Sequence, residues 1–367
     1  MNVTDSRLDG QDSGDVELSD EQQDAVFALA QGVWRGKSVQ TLGGYAGTGK
    51  TTSIRALKEC HENLAVCAYT GKAANVLRRK GIEACTIHSL IYVPERDENG
   101  KLRFHLRDSL DPEIEGFIVD EASMVSETIY RHLLTFGLPI VFVGDHGQLP
   151  PVEGKFNVME NPDYRLETIH RHAGEIPRFA ESLRLGKPAA DFKPSSGAVT
   201  MMPARKVSDE VLTSVDQVIC AFNRTRVELN QRIRWAHDRI AILEIDDRLI
   251  CLRNDSAEGL FNGLQGHTPH FELVKGQLVI DFVADGQLFP DLLIEPTQLG
   301  REKKLEDDNG KHLFDYAYCV TCHKAQGDEW DDVLVFEQRC ELWEHARWAY
   351  TAASRARRKL LWVGATR

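Results

Sequence analysis

The sequence predicts an α/β protein built on parallel sheets, with two β-rich stretches set into it. Three observations predict this. Short apolar runs alternate with helical segments along most of the 367 residues, the alternation a parallel sheet requires. One of these runs leads through a glycine-rich loop into a helix. Residues 92–112 and 246–315 break the alternation with turn-rich, β-prone sequence. The length suffices for two or three domains with full-sized cores. The 42% hydrophobic content is that of a globular chain, and no apolar run approaches the ~18 residues of a membrane span.

Taken in order, residues 1–17 carry Asp5, Asp9, Asp12, Asp15 and Glu17 against Arg7, a net charge of −4 without apolar patterning. A disordered acidic tail with no signal peptide is expected there, in a cytoplasmic protein. The rest of the chain then carries −8 of the total −12. That argues against coating nucleic acid by bulk charge and leaves room for a local groove that grips a strand.

The short β-prone run Val39-Gln40-Thr41-Leu42 precedes a loop with Gly44, Gly47 and Gly49, then Lys50, Thr51 and Thr52. Gly44, four residues, Gly49, Lys50 and Thr51 fit the pattern in which bare backbone turns its N–H groups onto a polyphosphate. Lys50 would reach the β- and γ-phosphates and Thr51 would offer its hydroxyl to Mg²⁺. The helix begun at Thr52 would aim its positive end at the same anion. This loop binds a nucleoside triphosphate.

Further strands are expected at 64–68, 116–119, 140–143, 218–222, 333–336 and 360–363. Most end in polar residues, where open α/β sheets place ligands. After 116–119 come Asp120, suited to hold Mg²⁺ through water, and Glu121, suited to orient and deprotonate an attacking water. After 140–143 comes Gln148, which can report on the γ-phosphate by hydrogen bonding. The first domain is therefore expected to be an ATPase, spanning 18–152.

Between 92 and 112, Asn99-Gly100 is a hairpin signal and Lys101-Leu102-Arg103-Phe104-His105-Leu106-Arg107 alternates as a two-faced strand does. Residues 246–315 read as a small barrel inserted into a second domain of 153–245 and 316–367. The eight cysteines are irregularly spaced. Cys319-x-x-Cys322 has no second pair for zinc, so buried reduced thiols are expected there.

Five segments together resemble the ordered motifs of superfamily 1 helicases: Gly44-Tyr45-Ala46-Gly47-Thr48-Gly49-Lys50-Thr51, Asp120-Glu121-Ala122-Ser123, Gly144 through Val152, Thr321 through Gly327, and Tyr350 through Ala356. Gln148-Leu149-Pro150-Pro151-Val152 and His323-Lys324-Ala325-Gln326-Gly327 resemble the 5′-to-3′ branch typified by the RecD and Dda helicases, with Pif1 as a cousin, from phage or bacteria. The resemblance implies two RecA-like domains with ATP and Mg²⁺ between them, a pin inserted in the first and an SH3-like insertion in the second. It also implies a single strand crossing the top of both domains.

By the same resemblance, Gln22 is similar to a glutamine that reads adenine, or else is a polar helix-start residue. Arg171 and Arg355 are similar to the two arginines extended to the γ-phosphate, with Ser354 standing where the family usually has Thr. Glu329 resembles a ribose-contacting glutamate. Thr70 with Lys72, Thr86 with His88, Asn223, and Thr321 with His323 match positions that contact the DNA backbone, with His88 alternatively a structural histidine. Phe104 is either the wedge of the pin or a core residue.

The function implied is an ATP-dependent 5′-to-3′ helicase or translocase on single-stranded DNA, acting as a monomer on forks or tailed duplexes alongside replication or recombination proteins. The alternatives are an ATP-gated strand-binding or remodelling protein that unwinds poorly, and a non-motor P-loop kinase.

Overall fold

The computed structural model describes residues 18–96, 102–150, 156–168, 174–255, 258–306, 310–341 and 343–364. The acidic tail, the Asn99-Gly100 turn with Lys101, Pro151, Val152 and Arg171 lie outside them.

The first unit begins with α1 (Asp20–Trp34), β1 (Val39–Gly44), α2 (Lys50–Cys60), β2 (Leu64–Ala68) and α3 (Gly71–Arg79). It continues through β3 (Cys85–Thr86), α4 (Ile87–Ile91), the hairpin strands β4 (Tyr92–Arg96) and β5 (Leu102–Leu106), β6 (Gly116–Asp120), α5 (Glu127–Leu134), β7 (Ile140–Gly144) and β8 (Tyr164–Leu166). Six of these strands form a sheet in the order β3-β2-β6-β7-β1-β8, parallel throughout. Its central strands are continuous apolar runs because both faces are covered. Ile118, Val141 and Val143 pack with α1, α2 and α3 residues on one side. Phe117, Val119, Ile140 and Phe142 pack on the other.

The sheet runs on to Leu166, past the boundary expected at 152. The Asp163 carboxylate accepts the Thr41 N–H at 2.8 Å and its hydroxyl at 3.0 Å, which pins the chain beside β1. Three residues with an exposed arginine at their centre give no apolar run to detect.

The second unit contains α6 (Glu175–Arg184), β9 (Val199–Met202), α7 (Asp209–Thr213), β10 (Gln217–Cys220) and α8 (Asn223–Ala236). After an insertion it resumes with β16 (Cys319–Thr321), β17 (Trp330–Phe336), α9 (His345–Ala353) and β18 (Ala356–Val363). Its sheet order is β16-β10-β17-β18-β9, again parallel. The strand expected to reach 222 stops at Cys220, and Phe222 instead takes the N-cap position of α8. Cys319 and Cys322 are fully buried, and the Cys319 thiol lies 3.6 Å from that of Cys220.

The insertion comprises β11 (Asp247–Cys251), β12 (Gln265–Val274), β13 (Gln277–Ala284), β14 (Gln287–Ile294) and β15 (Phe314–Tyr316). They form an antiparallel sheet in the order β14-β13-β12-β11-β15, and a bridge from Ile294 to His312 links its two edges. A buried ion pair anchors it to α8: Arg234 Nη2 to Asp247 Oδ2 at 2.9 Å, with the Tyr318 hydroxyl donating to Asp247 Oδ1 at 2.9 Å. Among the described residues no helix is long and apolar enough to cross a membrane.

Candidate nucleotide cleft and strand track

The phosphate loop is shaped by two glycines. Gly47 and Gly49 have φ of 81° and 85°, the left-handed region that glycine enters without steric cost. The chain thereby turns straight from β1 into α2 at Lys50. The Lys50 ammonium donates to the Gly44 and Tyr45 carbonyls at 2.8 and 3.0 Å, across the mouth of the loop. Gln22 closes a capping box with Ser19 at the start of α1, and its Nε2 donates to the Thr48 and Gly49 carbonyls, both at 3.3 Å. Both amide ends are therefore used, the oxygen in capping α1 and the nitrogen in bracing the loop. Thr52 follows on the first turn of α2.

Parallel pairing brings the C-terminal ends of β1, β6 and β7 to one edge of the sheet, with Gly43 opposite Gly144. Asp120 ends β6, and its carboxylate accepts the Glu121 N–H at 2.9 Å. Burial raises its pKa, opposed by that hydrogen bond and by Lys50 and Lys80. The Lys80 ammonium also lies 3.4 Å from the Thr51 hydroxyl. One cation thus sits near both Thr51 and Asp120, where a divalent ion is expected, so this donor pair fits Mg²⁺.

Glu121 adopts φ 53°, a strained backbone for a residue with a Cβ. Burial and the neighbouring Asp120 carboxylate push its pKa up to about 7, while Arg355 and Lys50 pull the other way. That value suits a general base near neutral pH. Asp145, at the end of β7, accepts from Gly147 N at 2.9 Å and from Gln148 Nε2 at 3.4 Å. The Gln148 Oε1 is buried with no partner.

The second unit closes the cleft from the opposite side. Arg355 follows α9 and is only 4% exposed. Its guanidinium donates to the Thr351 carbonyl at 3.0 Å, the Asp328 carbonyl at 3.1 Å and the Ser354 hydroxyl at 3.0 Å. Residues to which sequence reasoning gave no role also cross the cleft. The Tyr350 hydroxyl meets Ala46 and Asp145, and Leu149 N donates to the Thr351 hydroxyl at 3.0 Å. Gln326 Nε2 donates to the Leu149 carbonyl at 2.9 Å. These residues lie inside motifs the sequence displays, yet their side chains carry no phosphate chemistry that would single them out. Glu329 is exposed, and it is the adjacent Asp328 that is buried.

All eight residues proposed for strand contact line one series of cavities between the first unit, the insertion and the second unit. A cavity of about 520 Å³ holds Thr86, His88, Phe104 and Thr70. One of about 400 Å³ holds Thr70, Lys72 and His323. A third of about 170 Å³ holds Thr321 and Asn223. The first two share Tyr69, Thr70, Phe261 and Asn262, and the second and third share Asn262 and Lys324.

Thr70 and Thr86 are N-caps, accepting from Ala73 N at 3.1 Å and Ser89 N at 3.0 Å. Asn223 begins α8, and Thr321 ends β16. Burial lowers the pKa of both His88 and His323. The His88 ring packs 5.4 Å from Tyr92 and 6.2 Å from Phe104, and His323 lies 5.9 Å from Trp343.

Two placements differ from simple strand contacts. Lys72 is ion-paired with Asp328 at 3.1 Å, with its ammonium 4.9 Å from the centre of the Trp330 ring. Asp328 also accepts from Gln265 Nε2 at 2.8 Å, so first unit, second unit and insertion meet at one carboxylate. Burial raises the Asp328 pKa to about 6 against the pull of Lys72. Phe104 is half-buried and pairs with Pro94, and its ring lies edge-on to Tyr92 at 6.3 Å. It packs against the core of the first unit and also lines the cavity of about 520 Å³. The insertion reaches the first unit through Phe261, whose ring a Cβ on Gly71 would approach to 2.3 Å, and through Asp285, which accepts from Asn75 Nδ2 at 2.9 Å.

Two family models match the chain: an AAA domain over residues 17–203 and a UvrD-like helicase C-terminal domain over residues 316–367. The chain is 28% identical to the ATP-dependent RecD2 DNA helicase of Deinococcus radiodurans, over 95% of this chain and 49% of that protein. It thus spans about half the length of that relative. It is 25% identical to the ATP-dependent DNA helicase Pif1 of Bdellovibrio bacteriovorus, over 94% of this chain and 86% of that one. A crystal structure of Bacteroides Pif1 bound to single-stranded DNA superposes with a TM-score of 0.60 at 20% identity, covering 95% of this chain and 92% of its own. At that identity the match shows the fold.

Proposed function

Since the chain belongs to the AAA-domain family and, within it, to the 5′-to-3′ RecD/Pif1-like branch of superfamily 1 helicases, we propose that it hydrolyses ATP to move 5′-to-3′ along single-stranded DNA and to open forked or tailed duplexes, as a monomer, in replication, recombination or repair. One observation carries this reading. The seven residues matched to backbone contact, and Phe104 with them, line a connected run of cavities that reaches Gln326 and Asp328, which bond residues of the nucleotide cleft.

The proposed roles rest on the family resemblance together with this geometry. The Gly47–Thr51 backbone and Lys50 hold the triphosphate, Gln22 braces the loop beside the base, and Glu329, which is exposed, would contact the ribose. Thr51 and Asp120 would hold Mg²⁺, which supplies charge neutralisation at the phosphates when bound. Glu121 takes the proton of the attacking water, and Gln148 orients it. Arg355, with Arg171, stabilises transition-state charge only when the second unit is closed, which ties hydrolysis to domain position. Hydroxyl, amide and imidazole donors along the track hold phosphates without reading bases.

ATPase rates with single-stranded DNA, with RNA and without nucleic acid test the assignment, together with unwinding of 5′- and 3′-tailed duplexes. Stimulation by DNA and unwinding from the 5′ tail are expected. An unstimulated ATPase, or unwinding from the 3′ tail, overturns it. The inward packing of Phe104 favours a second reading, a translocating or remodelling ATPase that unwinds poorly. Strong ATPase stimulation with little duplex opening would distinguish it.

A further inference from the structure

Building on the ATPase reading, Tyr350 stands out in the cleft. It lies on α9 and is 2% exposed. Its hydroxyl donates to Asp145 Oδ2 at 2.6 Å and accepts the Ala46 N–H at 2.8 Å. Ala46 sits inside the phosphate loop, while Asp145 holds the turn that presents Gln148, through Gly147 N at 2.9 Å and Gln148 Nε2 at 3.4 Å. A single hydroxyl from the second unit therefore joins the two catalytic loops of the first.

The surroundings fix that hydroxyl in place. The Tyr350 ring is edge-on to Tyr45 at 6.1 Å, and the Arg184 guanidinium, also from the second unit, lies 3.9 Å from the centre of the Tyr45 ring. The neighbouring Thr351 hydroxyl takes the Leu149 N–H. Burial and the Asp145 carboxylate hold the phenol well above its ordinary pKa, so it remains a donor across the working pH range.

We propose that Tyr350 is a positioning residue for ATP hydrolysis: through its hydroxyl, closure of the second unit sets the phosphate loop at Ala46 and the Gln148 turn at Asp145 in one step. When the units separate, both hydrogen bonds break together. The Ala46 N–H loses its acceptor, and Asp145 keeps only its own turn. Domain position is then felt by the groups that hold and orient the reactants, in addition to any arginine reaching the γ-phosphate.

Y350F removes the hydroxyl and keeps the ring. Its melting temperature should match the parent's, while affinity for a fluorescent ATP analogue with Mg²⁺ and strand-stimulated kcat should each fall about five- to thirtyfold, the effect of one or two lost hydrogen bonds. D145N should show a loss of the same kind. The losses in the double variant Y350F/D145N should combine to clearly less than the product of the single losses, since the two residues share one hydrogen bond. Unchanged analogue affinity and kcat in Y350F overturn the proposal. So do losses that multiply in the double variant, or a loss matched by a lowered melting temperature while D145N is unaffected. If the parent shows no strand-stimulated hydrolysis, the ATPase-motor reading fails, and the analogue-affinity comparison still decides the role of Tyr350.

Discussion

The candidate nucleotide cleft and the proposed strand track are built in different ways. The phosphate loop, Asp120, Glu121 and Gln148 all come from the ends of strands β1, β6 and β7, which are neighbours in one sheet. Their relative positions are fixed by backbone hydrogen bonds and by a core buried on both faces. The track is assembled from three units, and its walls meet through a few side chains: Phe261 on Gly71, Asn75 with Asp285, and Lys72 and Gln265 on Asp328. A rigid site suits bond chemistry, which needs placement within fractions of an ångström. A seam of sparse polar contacts suits a grip that must tighten and release. Domain movement can therefore reshape the track while the first unit's share of the cleft stays intact.

This contrast can be broken by mutation. The largest effect is expected for Lys50→Ala, which removes the phosphate cation: ATPase should drop to background while strand binding, measured by fluorescence anisotropy, stays near the parent's. A loss of both would show that the two sites are not separable.

Arg355→Ala comes next, with a fall of about 10³-fold in stimulated hydrolysis and ATP still bound. Because Arg355 holds the Glu121 pKa down, whatever activity remains should also show its rising pH limb displaced to higher pH. A normal stimulated rate would remove Arg355 from the reaction.

Glu121→Gln should cost roughly 10²- to 10⁴-fold. With Glu121 as the proposed base, active only when deprotonated, kcat of the parent should rise with pH through about 7, and the limb should vanish in the variant. A flat parent profile from pH 6 to about 8 would exclude Glu121 as the titrating base.

On the track side, Phe104→Ala tests whether the hairpin is a separate tool. With the ring half-buried beside Tyr92 and His88, truncation should lower stability by about 1 to 3 kcal/mol and depress unwinding and stimulated ATPase together. Loss of unwinding alone, with an unchanged melt, would restore the wedge.

The smallest effect belongs to Asp328→Asn. A carboxyl whose folded pKa is raised to about 6 contributes stability below its unfolded pKa, and that contribution is lost as pH rises through about 6. Relative to the parent, the variant should therefore melt higher at pH 7.5 than at pH 5. The opposite trend would mean that the Lys72 ion pair outweighs the burial of the charge.

Asp120, Glu121 and Gln148 were legible because each follows an apolar run by one to five residues, and Lys50 and Thr51 because they close a loop with glycines at fixed spacing. The track was legible only in part. Thr70, Thr86 and Thr321 stand at strand or helix ends and line the proposed track, but the residues that close its walls, Phe261 and Asp285, look like ordinary loop residues until the insertion is folded against α3. Lys72 shows the limit in another way. Its sequence context is that of a phosphate donor, and only the tertiary structure supplies Asp328 as its partner. The edge strand β8 was missed because it is only three residues long with an exposed arginine between Tyr164 and Leu166, too short for an apolar run to show.

The place where the insertion interrupts the second sheet also bears on how the chain folds. In that sheet β10 pairs with β16, Val218 opposite Cys319, across about a hundred intervening residues. The first sheet also closes over long separations, Val39 opposite Ile140 and Leu42 opposite Tyr164, but all of its strands lie before residue 167. Contacts distant in sequence form slowly because the loop between them must first be closed. During synthesis the first unit, complete by Leu166, is expected to fold early, while β10 waits with both edges unpaired until the insertion has been made and β16 and β17 have followed it. That interval is when the chain is most exposed to wrong strand pairing, and Asn230 helps to end it, bonding the backbone of Cys319 through both ends of its amide.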